Sequence, residues 1–271
     1  MLKSPKVYIV VLNYNSFEDT RECIKSLNKI SYTNYNIVIV DNCSSDDSYE
    51  KLTNIFNDYT IIKTDKNLGY AYGNNAGIKF GLDNGADYIC ILNSDVIVEK
   101  DFLDKLVNKI EKNDKIGIAG SCICDYHKKD VVQSMGASIN LYFAAARRRF
   151  KGENYFSIDS NDADVDYVEG ACLLVKKDVF EDVGFIPENY FLFFEETEFC
   201  LKARKAGYKV MCIYASRVYH KGSSTISKFS NLSYAYLNRN RVIFVRRNSK
   251  WYQKIAFFIY IFIEGIGRVL I

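Results

Sequence analysis

Four apolar runs alternate with helical patterns over the first 93 residues of this chain, and this order restricts the fold more than any other feature. The runs lie at residues 6–14, 35–42, 59–64 and 87–93. Helical spacing of apolar residues fills the intervals, at residues 17–29, from Ser45 and from Tyr70. Because repeated strand-helix-strand units build right-handed parallel sheets, the sequence predicts an α/β fold with a mainly parallel central sheet flanked by helices.

Polar side chains stand where each of these strands ends. They are Asn13 and Asn15 after the first strand, Asp41 and Asn42 after the second, Asn67 after the third, and Asn93, Ser94 and Asp95 after the fourth. Ligands of such folds bind at the carboxyl ends of the parallel strands. The sequence therefore predicts a ligand site at one edge of the sheet, to which all four strand ends contribute.

The second half of the chain is less regular. Residues 167–186 predict a strand that runs into a short helix, residues 195–207 a helix that Gly207 ends, and residues 208–216 a further strand. A loop predicted at residues 218–225 then lies on the same side as the polar strand ends.

The composition indicates one compact domain. The 271 residues are 48% hydrophobic, only two are proline, and no Ser/Gly-rich tract separates one part from another. The N-terminal apolar run is too short for a signal peptide and is read as the first strand. Eight cysteines without a C-x-x-C pair, and two histidines, predict buried free thiols of a cytoplasmic protein rather than a zinc site.

The charge is unevenly distributed. The formal net charge is +3, yet residues 199–263 hold 13 Lys or Arg and no Asp or Glu. Such a region suits an anionic substrate or an anionic membrane surface, and no nucleic-acid partner is predicted.

Two acidic residues at strand ends can each be interpreted in more than one way. Asp95 can hold a hard divalent cation such as Mg²⁺, together with water and substrate phosphates. The tripeptide that it ends is also typical of a turn. Asp41 can accept hydrogen bonds from a ribose or a nucleobase, whereas residues 44–47 are explained as the cap of the next helix.

Small residues and amides open the helix predicted from Tyr70. Exposed N–H groups at a helix start attract phosphate, and Gly69 and Gly73 permit close approach to the backbone. Asn74 adds an amide side chain. The loop lacks the lysine of a P-loop and the spacing of the dinucleotide fingerprint, so alone it is a weak indication of phosphate binding.

Three glutamates follow a run of aromatic residues in the segment NYFLFFEETEFC, residues 189–200. A carboxylate at the mouth of an apolar pocket is a natural general base. The alternative is a helix N-terminus, where negative side chains are favoured in the first turn. The residues themselves leave both interpretations open.

Taken in order, six motifs resemble the family 2 glycosyltransferases with a GT-A fold, in particular their rhamnosyltransferase-like bacterial branch. They are VVLNYNS, IVIVDNCSSDDS, NLGYAYGNNAGI, ILNSDVIV, the segment from YVEGACLLV to KAGYKV, and VYHKGSST. The resemblance implies a GT-A domain at residues 1–248, with a nucleotide-sugar half at about 1–120 and an acceptor half at about 121–248. Residues 249–271 would form a C-terminal helical extension.

The resemblance also implies roles for individual residues. Asp95 keeps the final carboxylate of the D-x-D-type metal motif, and His220 matches a metal ligand of some relatives, for Mn²⁺ or Mg²⁺. Arg239 lies where relatives carry an Arg-Asn pair; it or Arg241 would meet the diphosphate, unless the two form a solvated helix face. The implied nucleotide- or donor-binding residues are Asn13, Asn15, Asp41, Asn67, Gly69, Asn74, Asn93, Ser94, Asp95 and Arg239.

The base is implied by the family motif F-E-D-x-D, whose second acidic residue deprotonates the acceptor hydroxyl. Residues 194–198 match this motif, which makes Glu196 the predicted base and Glu195 its rival. Glutamate has one methylene more than the aspartate of the motif. A misplacement of about 1 Å can lower a rate about a hundredfold.

The implied activity is metal-dependent, inverting glycosyl transfer of the hexosyltransferase class. A sugar would move from a nucleotide-diphosphate sugar, dTDP-rhamnose first and a UDP-hexose next, to a hydroxyl of a glycan or lipid-linked acceptor in bacterial cell-surface polysaccharide synthesis. The alternatives are a non-catalytic scaffold with the GT-A fold, and a sugar nucleotidyltransferase, whose Gly-rich basic signature after the first strand is missing here.

The C-terminal segment combines apolar, aromatic and basic residues. Its apolar run at residues 255–263 is too short to span a bilayer. With Trp251 and basic flanks, it predicts a peripheral attachment to the inner face of a membrane. The alternative is a helix that packs on the domain or in a homo-oligomer interface.

Overall fold

The structure, a computed structural model, describes residues 4–222 and 230–269, except for the side chains of residues 230, 231 and 265–269. The strands are β1 Val7–Asn13, β2 Tyr35–Asp41, β3 Thr60–Lys63, β4 Tyr88–Asn93, β5 Val96–Val98, β6 Ile116–Asp125, β7 Val132–Ser134, β8 Ala137–Asn140, β9 Ala145–Arg148, β10 Ala163–Asp164, β11 Cys172–Lys176 and β12 Lys209–His220. The helices are α1 Phe17–Leu27, α2 Ser48–Ile55, α3 Tyr70–Asp83, α4 Phe102–Glu111, α5 Lys177–Val183, α6 Glu195–Lys205, α7 Ser230–Asn248 and α8 Trp251–Val269.

One large sheet has the strand order β10-β12-β6-β11-β4-β1-β2-β3, and β8 and β9 form a separate hairpin. The strands β4, β1, β2 and β3 are parallel, as the sequence predicts, and so are β6 and β12. β11 lies antiparallel between β4 and β6. The chain reaches β11 from β6 through hairpins and loops rather than a crossover helix, so the direction reverses. The expected sheet flanked by helices is present, in a mixed form.

The central strands are buried on both faces because helices cover both sides of the sheet. In β1, Val7, Ile9 and Val11 share one apolar cluster with α1 and α4. The alternate residues Tyr8 and Val10 belong to a second cluster with α3, α5 and α6. Burial of each such Val or Ile contributes about 1.5–3 kcal/mol to the stability of the sheet that positions the site.

Close contact between α3 and the sheet depends on Gly73 and Gly77. A Cβ at Gly73 would lie 2.4 Å from Leu12, and one at Gly77 would lie 2.4 Å from Val10. Larger residues would therefore push α3 away from β1. The two glycines bring the start of α3 to the edge where β1 and β2 end.

The start of α2 differs from the prediction. The helix begins at Ser48 rather than at Ser45. Ser44 and Ser45 instead bond to Asp41 and Asn15, which hold them at the preceding strand ends.

The end of β12 also differs from the prediction. A loop is predicted from residue 218, but Val218, Tyr219 and His220 continue the strand because they pair with both β5 and β6. Residues 223–225 of the predicted loop lie outside the described residues.

The cysteines agree with the prediction. All eight are free and seven are buried, while Cys43 is half-buried. Burial raises the pKa of the Cys200 thiol to about 12, which keeps it protonated and unreactive at neutral pH.

Helix α8 forms the predicted C-terminal helical extension, and α7 directly precedes it. Phe244 and Val245 of α7 and Phe257 of α8 are buried in a third apolar cluster with Tyr190 and Phe194. Within the described parts of the chain, the search for a helix long and apolar enough to cross a bilayer finds none.

Glu198 joins α6 to the end of α7. Its side chain is 1% exposed and accepts hydrogen bonds from Arg247 Nε at 3.0 Å, Arg247 Nη2 at 2.8 Å and Asn248 Nδ2 at 3.0 Å. Burial acts to raise the pKa of Glu198, but the hydrogen bonds from Arg247, Tyr190 and Asn248 outweigh it and lower this pKa to about 2. Glu198 is therefore charged at neutral pH and holds two helices together.

Replacing Arg247 with Met is expected to destabilise the fold by about 2 kcal/mol, because the buried Glu198 carboxylate loses its hydrogen-bonded cation and keeps only Lys202, whose Nζ lies 3.5 Å from Oε1. The pKa of Glu198 is depressed in the folded state. Its stabilising contribution is thus present above the ordinary value of 4.5 and is lost as the pH falls toward about 2. Urea unfolding at neutral and acidic pH measures this difference. Arg246→Met is the control because Arg246 is exposed, and equal losses in the two variants would contradict the assignment.

Candidate functional site

The ends of β1 and β2 are joined through Asp41, which is fully buried. Its Oδ2 accepts hydrogen bonds from Asn13 Nδ2 at 2.7 Å and Ser44 Oγ at 2.6 Å, and its Oδ1 accepts one from the Ser44 N–H at 3.0 Å. Both oxygens are used within the chain, so the direct nucleotide contact predicted for Asp41 has no exposed carboxylate to act through. In this structure Asp41 fixes the loop that follows β2.

Asn13 and Asn15 occupy different positions at this edge. Asn13 is fully buried, and its Oδ1 accepts a hydrogen bond from Thr20 Oγ1 of α1 at 2.8 Å. Asn15 is exposed, with a left-handed backbone at φ 50°. Its Oδ1 accepts a hydrogen bond from the Ser45 N–H at 2.8 Å, which links the first two strand ends. Asn13 therefore organises the edge, while Asn15 is open to a ligand.

Asn67 and Gly69 form the start of α3. Asn67 Oδ1 accepts hydrogen bonds from Asn42 Nδ2 at 3.0 Å and from the Gly69 N–H at 2.9 Å. Gly69 has φ +103°, and a Cβ there would lie 2.1 Å from the Phe191 carbonyl oxygen. The sequence predicts that a ligand approaches the backbone closely at Gly69. In the structure the Phe191 carbonyl makes this close approach, and it also accepts a hydrogen bond from the Tyr70 N–H at 2.9 Å.

Asn74 lies inside α3, and its donor contact stays a prediction. It is fully buried, and its Nδ2 donates to the Tyr70 carbonyl one helical turn earlier, at 3.0 Å. Its Oδ1 has no hydrogen-bond partner among the described residues. Because the amide lies in the interior of the fold, the donor contact predicted for Asn74 has no exposed surface.

A turn at Asn93, Ser94 and Asp95 connects β4 to β5, and all three residues are half-buried. The Asn93 N–H donates to Ala171 O at 3.1 Å, and Ser94 Oγ lies 3.2 Å from Ser16 Oγ. The sequence leaves open whether this tripeptide is a turn or a metal-binding motif. The two are compatible, because the turn itself holds the carboxylate of Asp95 at the edge of the sheet.

His220 faces Asp95 from the neighbouring strand. The distance from His220 Nε2 to Asp95 Oδ1 is 3.2 Å, and Val96 is paired with His220 across β5 and β12. His220 Nδ1 lies 3.0 Å from Gln133 Oε1. Burial acts to lower the pKa of His220, but the hydrogen bond and charge of Asp95 raise it on balance. The longer β12 thus brings together the two residues predicted as metal ligands.

The donor set of Asp95 and His220 fits a divalent cation that also binds substrate. The described part of the chain contains no cluster of three or more His, Cys, Asp or Glu side chains suited to a metal. Two protein ligands are enough for Mg²⁺ or Mn²⁺ when water and substrate phosphates supply the other oxygens. Gln133 fixes the imidazole ring, as outer hydrogen-bond partners of metal-binding histidines do.

Lys221 also belongs to this site, although the sequence predicts no role for it. Its N–H donates to Asp95 O at 3.0 Å, and its Nζ lies 2.7 Å from Asp19 and 2.6 Å from Glu22. It therefore fastens the end of β12 to α1 beside Asp95. A single lysine after a histidine forms no pattern that would mark it in the sequence.

The segment before the three glutamates has an unusual backbone. Phe193 and Phe194 are both left-handed, at φ 73° and 76°, which costs on the order of 1–3 kcal/mol for each non-glycine residue. Asn240 of α7 is fully buried and donates to Leu192 O at 2.7 Å and Phe193 O at 3.3 Å. Asn240, for which the sequence predicts no role, holds this segment in its strained form.

Glu195 and Glu196 begin α6 directly after this segment. Glu195 is 3% exposed, Glu196 is half-buried, and Oε2 of each is buried with no hydrogen-bond partner among the described residues. Burial, followed by the charge of Glu196, raises the pKa of Glu195 well above its ordinary value. Burial raises the pKa of Glu196 to about 7. Buried carboxyl oxygens are almost always paired, and a carboxyl group that titrates near neutral pH suits a general base.

The Asp95 turn and Tyr70, whose phenol responds to the charges of the glutamate pair, lie beside one segment of the chain, residues 169–171. Tyr70 donates its hydroxyl to Gly170 O at 2.7 Å, next to the Ala171 carbonyl that accepts from Asn93. Burial raises the pKa of Tyr70, and the charges of Glu196 and Glu195 raise it further, which places the phenol near them. The structure therefore brings both predicted pairs to the same edge.

The two arginines of α7 have different surroundings. Arg241 Nη1 lies 3.2 Å from Glu264 Oε2, and its Nη2 donates to Phe143 O at 3.1 Å, so it ties α7 to α8 and to the β8–β9 turn. Arg239 is exposed and bonds to the adjacent Asn240 Oδ1 at 3.3 Å. Arg239 is thus the arginine that is open to a ligand, and its diphosphate contact stays a prediction.

A sequence model of the family described as Glycosyl transferase family 2 matches residues 8–184 of the chain. The matched part runs from β1 to the end of α5 and contains Asp41 and Asp95. It ends before the glutamate pair and His220, whose roles stay predictions.

Relatives with curated descriptions cover most of the chain. The low-salt glycan biosynthesis hexosyltransferase Agl10 of Haloferax volcanii is 26% identical, over 87% of this chain and 74% of the relative. The dTDP-rhamnosyl transferase RfbF of Shigella flexneri is 25% identical, over 79% and 68%. The N-acetylglucosaminyl-diphospho-decaprenol L-rhamnosyltransferase of Mycobacterium tuberculosis is 22% identical, over 90% and 86%.

Solved structures confirm the predicted GT-A fold. GalNAc-T7, determined with UDP, GalNAc and Mn²⁺, superposes with a TM-score of 0.67 at 14% identity, over 81% of this chain and 44% of that one. The mannosyltransferase PcManGT from Pyrobaculum calidifontis, with GDP-Man and Mn²⁺, has a TM-score of 0.65 at 15% identity, over 92% and 66%. This chain therefore spans less than half of the first structure and about two thirds of the second.

Proposed function

Since this chain belongs to glycosyl transferase family 2, we propose that it transfers a sugar, with inversion, from a nucleotide-diphosphate sugar to a hydroxyl of a glycan or lipid-linked acceptor. One observation carries the proposal. At the carboxyl edge of the sheet, residues 169–171 accept hydrogen bonds from the Asn93 N–H, beside the Asp95–His220 pair, and from the Tyr70 hydroxyl, whose pKa the charges of Glu196 and Glu195 raise. A diphosphate held at the Asp95–His220 pair would present the sugar to the glutamate pair.

The donor that the relatives favour is dTDP-rhamnose, with a UDP-hexose as the next candidate. Two of the three relatives are named as rhamnosyltransferases and the third as a hexosyltransferase. Asn15 and Arg239, which are exposed, are proposed to contact the nucleotide and the diphosphate.

Asp95 and His220 would hold Mn²⁺ or Mg²⁺. A divalent ion at this position supplies positive charge that stabilises the diphosphate as it leaves. Lys221 holds the end of β12 in place, and Gln133 orients the His220 ring. These contacts keep the two ligands in one geometry before any substrate binds.

Glu196 is proposed to accept the proton of the attacking hydroxyl at its unpartnered Oε2. Its pKa of about 7 leaves a substantial charged fraction at neutral pH, and burial together with the charge of Glu196 raises the pKa of the neighbouring Glu195. The acceptor oxygen bonds to the anomeric carbon from one face, and the bond to the diphosphate oxygen breaks on the other. One displacement inverts the configuration at this carbon, and no covalent intermediate with the chain forms.

The acceptor is proposed to be presented at a membrane, which α8 would contact. Exposed apolar side chains line the helix: Trp251, Ile255, Phe258, Ile259, Phe262 and Ile263. Arg246 and Lys250 are exposed at its start, and residues 199–263 carry no acidic group. A surface that pairs apolar and basic residues is complementary to anionic lipid. The Mycobacterium tuberculosis relative is named for a diphospho-decaprenol acceptor, which is consistent with this arrangement.

Replacing both Ile259 and Phe262 with Asp is expected to weaken binding to vesicles that contain phosphatidylglycerol by at least about a hundredfold. The reason is that each large apolar side chain contributes about 1.5–3 kcal/mol when it leaves water. Co-sedimentation measures the binding. Ile55→Asp is the control, because Ile55 is 52% exposed but lies on α2. Unchanged vesicle binding, or a change only in the oligomeric state by ultracentrifugation, would contradict membrane contact.

A non-catalytic scaffold is the second candidate, favoured by Asn93 and Glu196, which depart from the fullest form of the family motifs. The assay mixes the protein with dTDP-rhamnose or UDP-glucose, Mn²⁺ and lipid-linked or glycan acceptors. A transferase releases a nucleoside diphosphate and glycosylates the acceptor. A nucleotidyltransferase releases pyrophosphate from a nucleoside triphosphate and a sugar phosphate, and a scaffold releases neither.

A further inference from the structure

Glu169 is a partly buried carboxylate between the two pairs of the proposed active site. It directly precedes Gly170, which accepts the Tyr70 hydroxyl, and Ala171, which accepts the Asn93 N–H. Its side chain is 13% exposed. The roles proposed for Asp95 as a metal ligand and Glu196 as the base do not require this third carboxylate.

Arg148 of β9 forms an ion pair with Glu169 through Nε and Oε1. The hairpin places it there, because Arg148 is opposite Ala137 in β8, and the Ala137 N–H donates to Tyr167 O at 3.0 Å. Oε1 of Glu169, which faces Arg148, is buried and has no hydrogen-bond partner among the described residues. The described contacts provide no hydrogen bond to Oε2 either, so the carboxylate keeps the capacity to accept a hydrogen bond from a ligand.

Electrostatics agrees with this location. Burial has the largest effect on both His220 and Glu196, but the charge of Glu169 raises the pKa of each and the charge of Arg148 lowers it. Glu169 and Arg148 are therefore close enough to act on the metal side and on the base side of the edge.

We propose that Glu169, held by Arg148, binds a hydroxyl group of the donor sugar and so selects the sugar rather than the nucleotide. This rests on the proposed function. The transferred sugar must lie between the diphosphate and the base, which is where Glu169 lies. A carboxylate with this capacity accepts a strong, charge-assisted hydrogen bond from a sugar hydroxyl. A site built around such a bond discriminates strongly against sugars that lack the hydroxyl.

The experiment compares a nucleotide with its sugar conjugate by calorimetry in Mn²⁺, using dTDP with dTDP-rhamnose and UDP with UDP-glucose. We expect Glu169→Gln to weaken binding of the sugar conjugate by about tenfold to a hundredfold and to leave the nucleotide affinity unchanged. Arg148→Met removes the ion-pair partner of Glu169. It should weaken binding of the sugar conjugate by a smaller factor and leave the nucleotide affinity unchanged. The controls are Glu181→Gln and Arg147→Met, both at exposed positions. Thermal unfolding confirms that each variant is folded.

The outcomes separate this inference from the proposed function. If the wild-type chain binds a nucleotide and both Glu169→Gln and Arg148→Met leave the conjugate affinity unchanged, the inference is wrong and the proposed function stands. If Glu169→Gln bound the nucleotide and the sugar conjugate equally weakly, the inference would also be overturned. Glu169 would then support the Asp95–His220 pair rather than contact the sugar. A wild-type chain that binds neither nucleotide nor conjugate would overturn both.

Discussion

Replacing Glu196 with Gln is expected to lower the rate of sugar transfer by about 10²–10⁴-fold while the affinity for the donor stays unchanged. The amide has nearly the same shape as the carboxylic acid but cannot accept the proton of the attacking hydroxyl. Donor affinity is measured by calorimetry and transfer by release of nucleoside diphosphate with acceptor present. Glu195→Gln is the matched comparison. A larger loss in Glu195→Gln than in Glu196→Gln would make Glu195 the base.

The pH dependence of the wild-type rate provides an independent check on Glu196. Its pKa is raised to about 7 in the fold, and only the deprotonated form can accept a proton. The rate should therefore rise with pH through about 7, and this limb should vanish in Glu196→Gln. The groups near Glu196 that act on the same titration are Glu195, Glu169, Arg148, Tyr70 and Tyr167. A limb that persists unchanged in Glu196→Gln would exclude Glu196 as its source.

Asp95→Ala is expected to weaken metal-dependent donor binding by more than about a hundredfold. Replacing even an outer hydrogen-bond partner of a metal ligand typically lowers metal affinity or activity about 10–100-fold. Asp95 is proposed as a direct ligand, so its replacement should have a larger effect. His220→Gln and Gln133→Ala should give smaller losses in the same measurement. Asp114→Ala is the control, because that side chain is 98% exposed. Donor binding by Asp95→Ala that keeps its full dependence on Mn²⁺ would show that the ion is held elsewhere.

The main part of the fold and the position of the site follow from local patterns. Alternation of strands with helices and the polar residues at strand ends depend only on neighbouring residues, so the edge built by Asn13, Asn15, Asn67 and Asp95 could be predicted. Asp41 could not be assigned in the same way, because Ser44 occupies its carboxylate only once the loop has folded back.

The three glutamates illustrate what the sequence leaves open. Glu196 and Glu198 are two positions apart in α6, so they face nearly opposite sides of the helix. Glu198 meets Arg247, which is 49 residues later, and becomes an anchor. Among the described residues, Oε2 of Glu195 and Oε2 of Glu196 have no such partner, and Asn240 holds the backbone before them in a left-handed conformation. These contacts join distant parts of the chain, and no local pattern encodes them.

The most direct test of the central claim, that this chain holds a nucleotide-sugar donor through a metal at Asp95, is calorimetric titration of the wild-type protein. The titrants are dTDP, UDP and GDP, each with Mn²⁺, with Mg²⁺ or with a chelator. The account predicts that one nucleotide binds, that the chelator abolishes its binding, and that dTDP binds most tightly. Failure of all three nucleotides to bind with either metal would contradict the account and favour a non-catalytic scaffold.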